Sequence, residues 1–334
     1  MIRQIVLLLL VSVMLSACSE QSDRFSTYTE GQQQIGNINN LLSTQLDNGG
    51  KTYWPFSEAY LQARHLAYQG LANVELSDPQ QAQLNYLIIA QRYPERFFVW
   101  PVQRDVISNA IKQDDYTPEA LGKWIERVET KLIEAEQSNL RLNKLELKLL
   151  RSMVVSHLDN NNENVVMALT KLNQYLAQYK PRTKLGLVGL ANGKDWYQSK
   201  LNYFANTTKP PLSWLSEIQH LLKEKPTVDL SLPVFSSHNK PLVLQYLEDG
   251  DLHAGLDWQL DFIDVKQSKR QLNQDEQYFW SVMMETDLGI HYHTWNEQQA
   301  RVNLMKRLSV NQQQADWLIE DIVLYPAMSF IFAR

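Results

Sequence analysis

Helix-start signals recur along this chain, and few breakers interrupt the stretches behind them. Asp78-Pro79 and Thr117-Pro118-Glu119 each set a side-chain acceptor just ahead of a proline. Proline is tolerated at the first helical position because its missing N–H would find no intrahelical partner there. After the first signal come Leu84, Leu87 and Ile88, with Tyr86 beside them, until Tyr93-Pro94. After the second, Leu121, Trp124, Ile125, Val128, Leu132 and Ile133 return at three- and four-residue steps, which is one face of a helix. That pattern is expected to reach about residue 158 with one break. Val165, Val166, Leu169, Leu172, Tyr175 and Leu176 make the next helix, and another follows Pro210-Pro211. Late helices are expected over 275–286, 296–308 and 311–324, with Gly289 as the C-terminal cap of the first. Gly and Pro number only 12 each in 334 residues, which favours long elements over a β-sandwich. Strand-like alternation is confined to 228–232. The expected fold class is mostly α: one large helical domain over 30–334, with an irregular or short-strand segment near 225–270. Two lobes meeting near residue 180 are the alternative.

The N-terminus carries an address. Arg3 precedes an apolar run over 5–15, too short for a spanning helix, which needs about 20 apolar residues. Leu15-Ser16-Ala17-Cys18 follows and resembles a bacterial lipobox, whose cysteine thiol is lipidated and becomes the first mature residue. Cys18 is the only cysteine, so no intrachain disulfide and no cysteine-based zinc cluster can form. Residues 1–17 are therefore expected to be a signal peptide and Cys18 a palmitate-bearing anchor, followed by a tether over 18–29. Several acyl chains on one residue anchor stably where one would be marginal. Ser19, in place of Asp, resembles the sorting signal for the Gram-negative outer membrane, with the protein expected to face the periplasm. A formal charge of −5 excludes a strongly basic nucleic-acid binder and gives no pull toward anionic lipid. No G-x-x-x-x-G-K-[ST] or G-x-G-x-x-G occurs, so no nucleotide is expected, and no G-x-S-x-G occurs to offer a serine nucleophile.

Two blocks are distinctive. The first runs from Leu185-Gly186-Leu187 through Gly193-Lys194-Asp195-Trp196-Tyr197 to Thr207-Thr208. The second holds Thr286-Asp287-Leu288-Gly289-Ile290-His291, then Trp295 and Gln299-Ala300, and ends at Tyr325-Pro326-Ala327-Met328. Over 185–208 and 280–328 the chain resembles the bacterial domain of unknown function 885, many of whose members are lipoproteins similar to mostly helical zinc peptidases. The Asp-x-Gly-x-His and Trp-x-x-x-Gln-Ala spacings carry most of that resemblance. It implies a zincin-like helical scaffold, with Tyr197, Asp287, His291 and Tyr325 near a cleft. The departures are as informative. The peptidase-like members carry H-E-x-x-P-G-H, in which two histidines on one helix face hold a metal and Glu activates its water. None of the histidines here (His65, His157, His220, His238, His253, His291 and His293) is followed by Glu or has that spacing. The family's E-G-W-A segment has only His253-Ala254-Gly255-Leu256 as an echo, and Ala327-Met328 stand where the family has Gly-Gln.

Remaining candidates for chemistry are few. His291 and His293 would share a face in an extended segment but diverge by about 200° on a helix. Gly289 points to the extended case, and Asp251, His253 and Asp257 are the further ligands such a pair would need. The clusters Trp54-Pro55-Phe56 and Phe97-Phe98-Val99-Trp100-Pro101 read as core packing or as the lining of an apolar groove. The candidate ligand-binding set is Tyr197, Asp287, His291, His293, Trp295 and Tyr325, with no metal, no cofactor and no catalytic residue expected. The leading expectation is a lipid-anchored, non-catalytic relative of zinc peptidases that binds a peptide, a wall fragment or an envelope protein. The alternatives are a metal-dependent hydrolase with a rearranged site and a purely structural lipoprotein.

Overall fold

The computed structural model describes residues 24–40, 57–92, 107–112 without 109, 117–205 without 161, 207–223, 242–246 and 272–333. The expected signal peptide, Cys18, both dense aromatic clusters, and Asp251, His253 and Asp257 lie outside these residues. The protein is mostly helical, and among the described residues no strand forms; one isolated bridge pairs Asn143 with Arg182. The expected strand at 228–232 and most of 225–270 fall outside the described residues, but Leu242–Tyr246 within that segment is helical.

The N-terminal helices are α1 (Tyr28–Asn40), α2 (Glu58–Leu71) and α3 (Asp78–Arg92). Helix α1 begins inside the stretch read as tether. Ile35, Ile38, Tyr60, Tyr68, Leu71, Leu84 and Leu87 bury one small core between the three. Then come α4 (Pro118–Gln137), α5 (Lys144–Ser156) and α6 (Glu163–Gln178). Thr117 caps α4 as expected, its hydroxyl accepting from the Ala120 N–H at 3.4 Å. The expected break is the turn at 138–143, where Asn143 opens α5 with a reciprocal capping box to Glu146. Helix α4 packs along α6, and Ile125, Val128, Leu132, Leu169 and Leu172 are buried between them.

A short 3₁₀ turn (Leu187–Gly189) leads into α7 (Gly193–Ala205) and α8 (Pro211–Leu221). After α9 (Leu242–Tyr246) come α10 (Gln274–His291), α11 (Glu297–Leu308), α12 (Gln312–Leu324) and a 3₁₀ strap (Met328–Phe332). Asn273, Asn296 and Asn311 start α10, α11 and α12 with the same Asn-x-x-Glu/Gln box.

Helix α10 is the hub. Every residue from Tyr278 to His291 is buried, and the helix touches α8, α11, α12 and both 3₁₀ segments. A helix enclosed on all sides is a core element and not an amphipathic surface one. The main core runs without division from Ile107 to Ile331, across residue 180. Tyr86 of α3 packs against both cores, stacking on Tyr203 of α7 with ring centroids 4.4 Å apart.

Gly289 does not cap α10; the helix continues to His291 and Tyr292 is its C-cap. Glycine is needed there for a different reason. A Cβ on Gly289 would lie 2.2 Å from the Trp295 ring, so the bare backbone gives the indole its seat. The Trp295 N–H donates to the Gly289 carbonyl at 2.8 Å, folding the chain back over the helix end.

Candidate functional site

The helical course of residues 286–291 decides what the second block can do. Asp287 and His291 lie one turn apart on α10, on the same face, and both are buried. Opposite them, α7 supplies Tyr197, which is fully buried and stacks on the His291 ring at 5.5 Å between centroids. The Tyr197 hydroxyl donates to Asp287 Oδ1, and the Ala327 N–H donates to Asp287 Oδ2 at 2.9 Å. Ala327 has φ 66°, in the left-handed region that favours glycine, and this turn aims its N–H at the carboxylate.

His291 is a bridge between two backbones. The Leu187 N–H donates to Nδ1 at 3.1 Å, and Nε2 lies 3.0 Å from the Ile322 carbonyl oxygen. Nδ1 is thereby an acceptor, so Nε2 carries the hydrogen and the ring is neutral. Burial pushes its pKa down to about 3, with Arg182 and Lys200 adding to the effect against the Ile322 hydrogen bond. Burial likewise pushes Asp287 up to about 7, over the opposing pull of Tyr197 and the Ala327 N–H. The Tyr197 hydroxyl is raised well above its ordinary value, by burial first and then by Asp287.

The structure therefore brings Tyr197, Asp287 and His291 together in the interior. Both Asp287 oxygens and both His291 nitrogens already have protein partners. His293 does not join them. It lies just past the helix end and is exposed, so the extended His291/His293 pair is not formed. Trp295 is half-buried against Gly289, and Tyr325 is half-buried at the end of α12. Among the described residues no group of three or more His, Cys, Asp or Glu side chains could hold a metal ion. The zinc that the family resemblance implies does not fit these residues, since His291 spends both nitrogens on backbone groups.

Arg182 and Glu146 also hold this region, and neither has a motif to announce it. Arg182 Nε donates to the Arg141 carbonyl at 2.8 Å. Its Nη1 reaches the carbonyls of Lys184, Leu185 and Gly186, and its Nη2 lies 3.3 Å from buried Glu146. These bonds fix the loop that presents the Leu187 N–H to His291. Asn143 adds a hydrogen bond to the Leu185 carbonyl at 2.7 Å. Burial pushes Glu146 up to about 7, against the pull of Arg182 and the Asn143 N–H. Asp321 of α12 is raised to about 7 in the same way.

These shifts give stability a pH dependence with a definite sign. Glu146, Asp287 and Asp321 hold protons in the folded state that the unfolded chain releases near pH 4, so their contribution is full below that value. It is lost as pH rises toward about 7. His291 works the other way: unfolding lets it take up a proton near 6.5, so it destabilises below that value and the penalty fades above it. From pH 5.5 to 8 each carboxylate takes away about 2 kcal/mol and His291 returns about 1 kcal/mol. Urea denaturation should therefore show the protein roughly 4–5 kcal/mol less stable at pH 8 than at pH 5.5. A flat or rising profile would contradict these protonation states.

Among the described residues, no helix is long and apolar enough to cross a membrane. Comparison of the chain with protein-family models, with curated proteins and with solved structures returns no match.

Proposed function

We propose that this chain is a lipid-anchored envelope protein that uses a peptidase-like helical scaffold to bind without cleaving. Its ligand would be a peptide, a wall fragment or a partner protein of the envelope. The observation that supports this most is the inward commitment of Tyr197, Asp287 and His291. The residues that the family resemblance sets beside a cleft here tie α7, α10, α12 and the C-terminal strap to one another. A side chain whose polar atoms are all engaged in the interior serves architecture, and activating water at a metal would need those same atoms. The missing H-E-x-x-P-G-H helix points the same way.

Elemental analysis of the purified full-length protein, after brief chelator washing, tests the reading. Zinc, manganese and iron should each stay below about a tenth of an equivalent, since a resident catalytic metal would approach one per chain. Near one equivalent, lost in His291→Ala while the helical circular dichroism is kept, would overturn it. The anchor has its own test. Palmitate labelling and sedimentation with the outer membrane should both disappear in Cys18→Ala; a variant still membrane-bound would place the attachment elsewhere.

A further inference from the structure

The C-terminal strap is held by groups that are costly to bury. Phe330, Ile331 and Met328 sink into the core and press the strap inward. Phe330 meets Trp214 edge-on at 5.5 Å, and Phe332 stacks on Trp280 at 4.2 Å. Yet among the described residues Trp214 Nε1, Trp280 Nε1 and Ser329 Oγ have no hydrogen-bond partner. These residues are only 4%, 0% and 5% exposed. Buried donors left unmade penalise the closed arrangement, and opening to water relieves them.

Two carboxylates complete the closure. Asp287 accepts the Ala327 N–H at the start of the strap. Asp321 accepts the Leu242 N–H at 2.8 Å, at the start of α9. Helix α9 touches the strap, with Tyr246 edge-on to Phe332 at 5.8 Å. Strap and α9 thus form one unit, the strap fastened to α10 by Asp287 and α9 fastened to α12 by Asp321. Among the described residues, few charged and titratable groups face this pair. Tyr197 and Lys200 come from α7, neutral His291 lies one turn along α10, and the two carboxylates repel each other.

We propose that the strap and α9 are a proton-held clasp, closed while Asp287 and Asp321 are protonated and opened to water as they ionise. Lost hydration raises buried Asp287 and half-buried Asp321 to about 7 in the closed form, and water would return them to ordinary carboxylate values in the open form. Opening releases their protons. Its equilibrium constant therefore grows by about tenfold per pH unit for each group between roughly pH 4 and 7. The dependence levels off above that.

Hydrogen exchange of the full-length protein in detergent, followed by mass spectrometry from pH 5 to 8, tests this. Exchange over 325–333 and 242–246, corrected for the chemical rate, should speed up at least tenfold between pH 5 and 7. Helix α6 (163–178) should stay protected throughout. Asp287→Asn and Asp321→Asn should each remove part of that pH dependence. Tyr197→Phe deletes a donor to the ionised Asp287 and should extend the dependence to higher pH. Strap exchange that is flat with pH would overturn the proposal. So would exchange of the strap and α6 at one common rate, which would report unfolding of the whole molecule. The unmutated protein decides either point by itself, whether or not the variants fold.

Discussion

Gly186→Ala is expected to cost about 3–4 kcal/mol, from overpacking plus the loss of one buried hydrogen bond. A Cβ on Gly186 would stand 2.0 Å from the Ile290 carbonyl oxygen and 2.7 Å from the His291 Cα. Both obstacles are backbone atoms of α10, which is enclosed on every side, so the loop must retreat. Retreat pulls the Leu187 N–H away from His291 Nδ1 and leaves a buried nitrogen without its donor. Gly36 is the internal control. It lies in the interior of α1, where an added methyl would meet nothing within 4 Å. Gly36→Ala should stabilise by about 0.5–1 kcal/mol, through better helix propensity. Chemical denaturation of both variants decides the matter. Equal midpoints would mean that the Gly186–Ile290 approach does not constrain the fold.

Above about pH 7, where Glu146 is ionised, Arg182→Ala should be as damaging, at about 3–5 kcal/mol, because it strands a buried carboxylate. Glu146 would lose the cation that faces it, and the carbonyls of Arg141, Lys184, Leu185 and Gly186 would lose a shared donor. Two signatures distinguish this cause from general loss of packing. The deficit should be larger at pH 8, where Glu146 must be ionised, than at pH 5.5. Glu146→Gln in the Arg182→Ala background should recover about 1–3 kcal/mol, because neighbours that share a network do not add independently. A deficit under about 0.5 kcal/mol would show the pair to be ornamental, as most exposed ion pairs are.

Helices were legible where one segment contained its own reasons. Thr117-Pro118 and the asparagines at 296 and 311 are local acceptors, and the helices behind them begin within a residue of expectation. Gly289 shows where such reasoning stops. A glycine near a helix end is ordinarily a cap, but this one sits inside the helix because an indole from six residues on rests against it. Once α10 continues to His291, the two histidines part company, one inward and one into water. The difference between a paired site and none was thus a single half-turn. Arg182 and Glu146 had no signal at all, since a lone cation and a helix-start glutamate 36 positions apart resemble ordinary surface charge. Of the six residues singled out from the sequence, His293, Trp295 and Tyr325 do not join the other three, Tyr197, Asp287 and His291, which meet in the interior. Their engagement with the backbones of Leu187, Ile322 and Ala327 could come only from tertiary structure.

The all-round burial of α10 also sets an order of assembly. Helices α4, α5 and α6 find their partners within about sixty residues of one another, so their pairing closes short loops and can come early. Helix α10 cannot be finished locally. Its neighbours arrive from α7 and α8 on one side and from α11, α12 and the strap on the other. During synthesis its apolar faces stay uncovered until residues 328–332 have emerged and Ala327 has reached Asp287. A chain that crosses a membrane unfolded and N-terminus first would carry that exposed helix until residues 328–332 had followed it through. Arrival of the strap is then also the step that takes this apolar surface out of solvent.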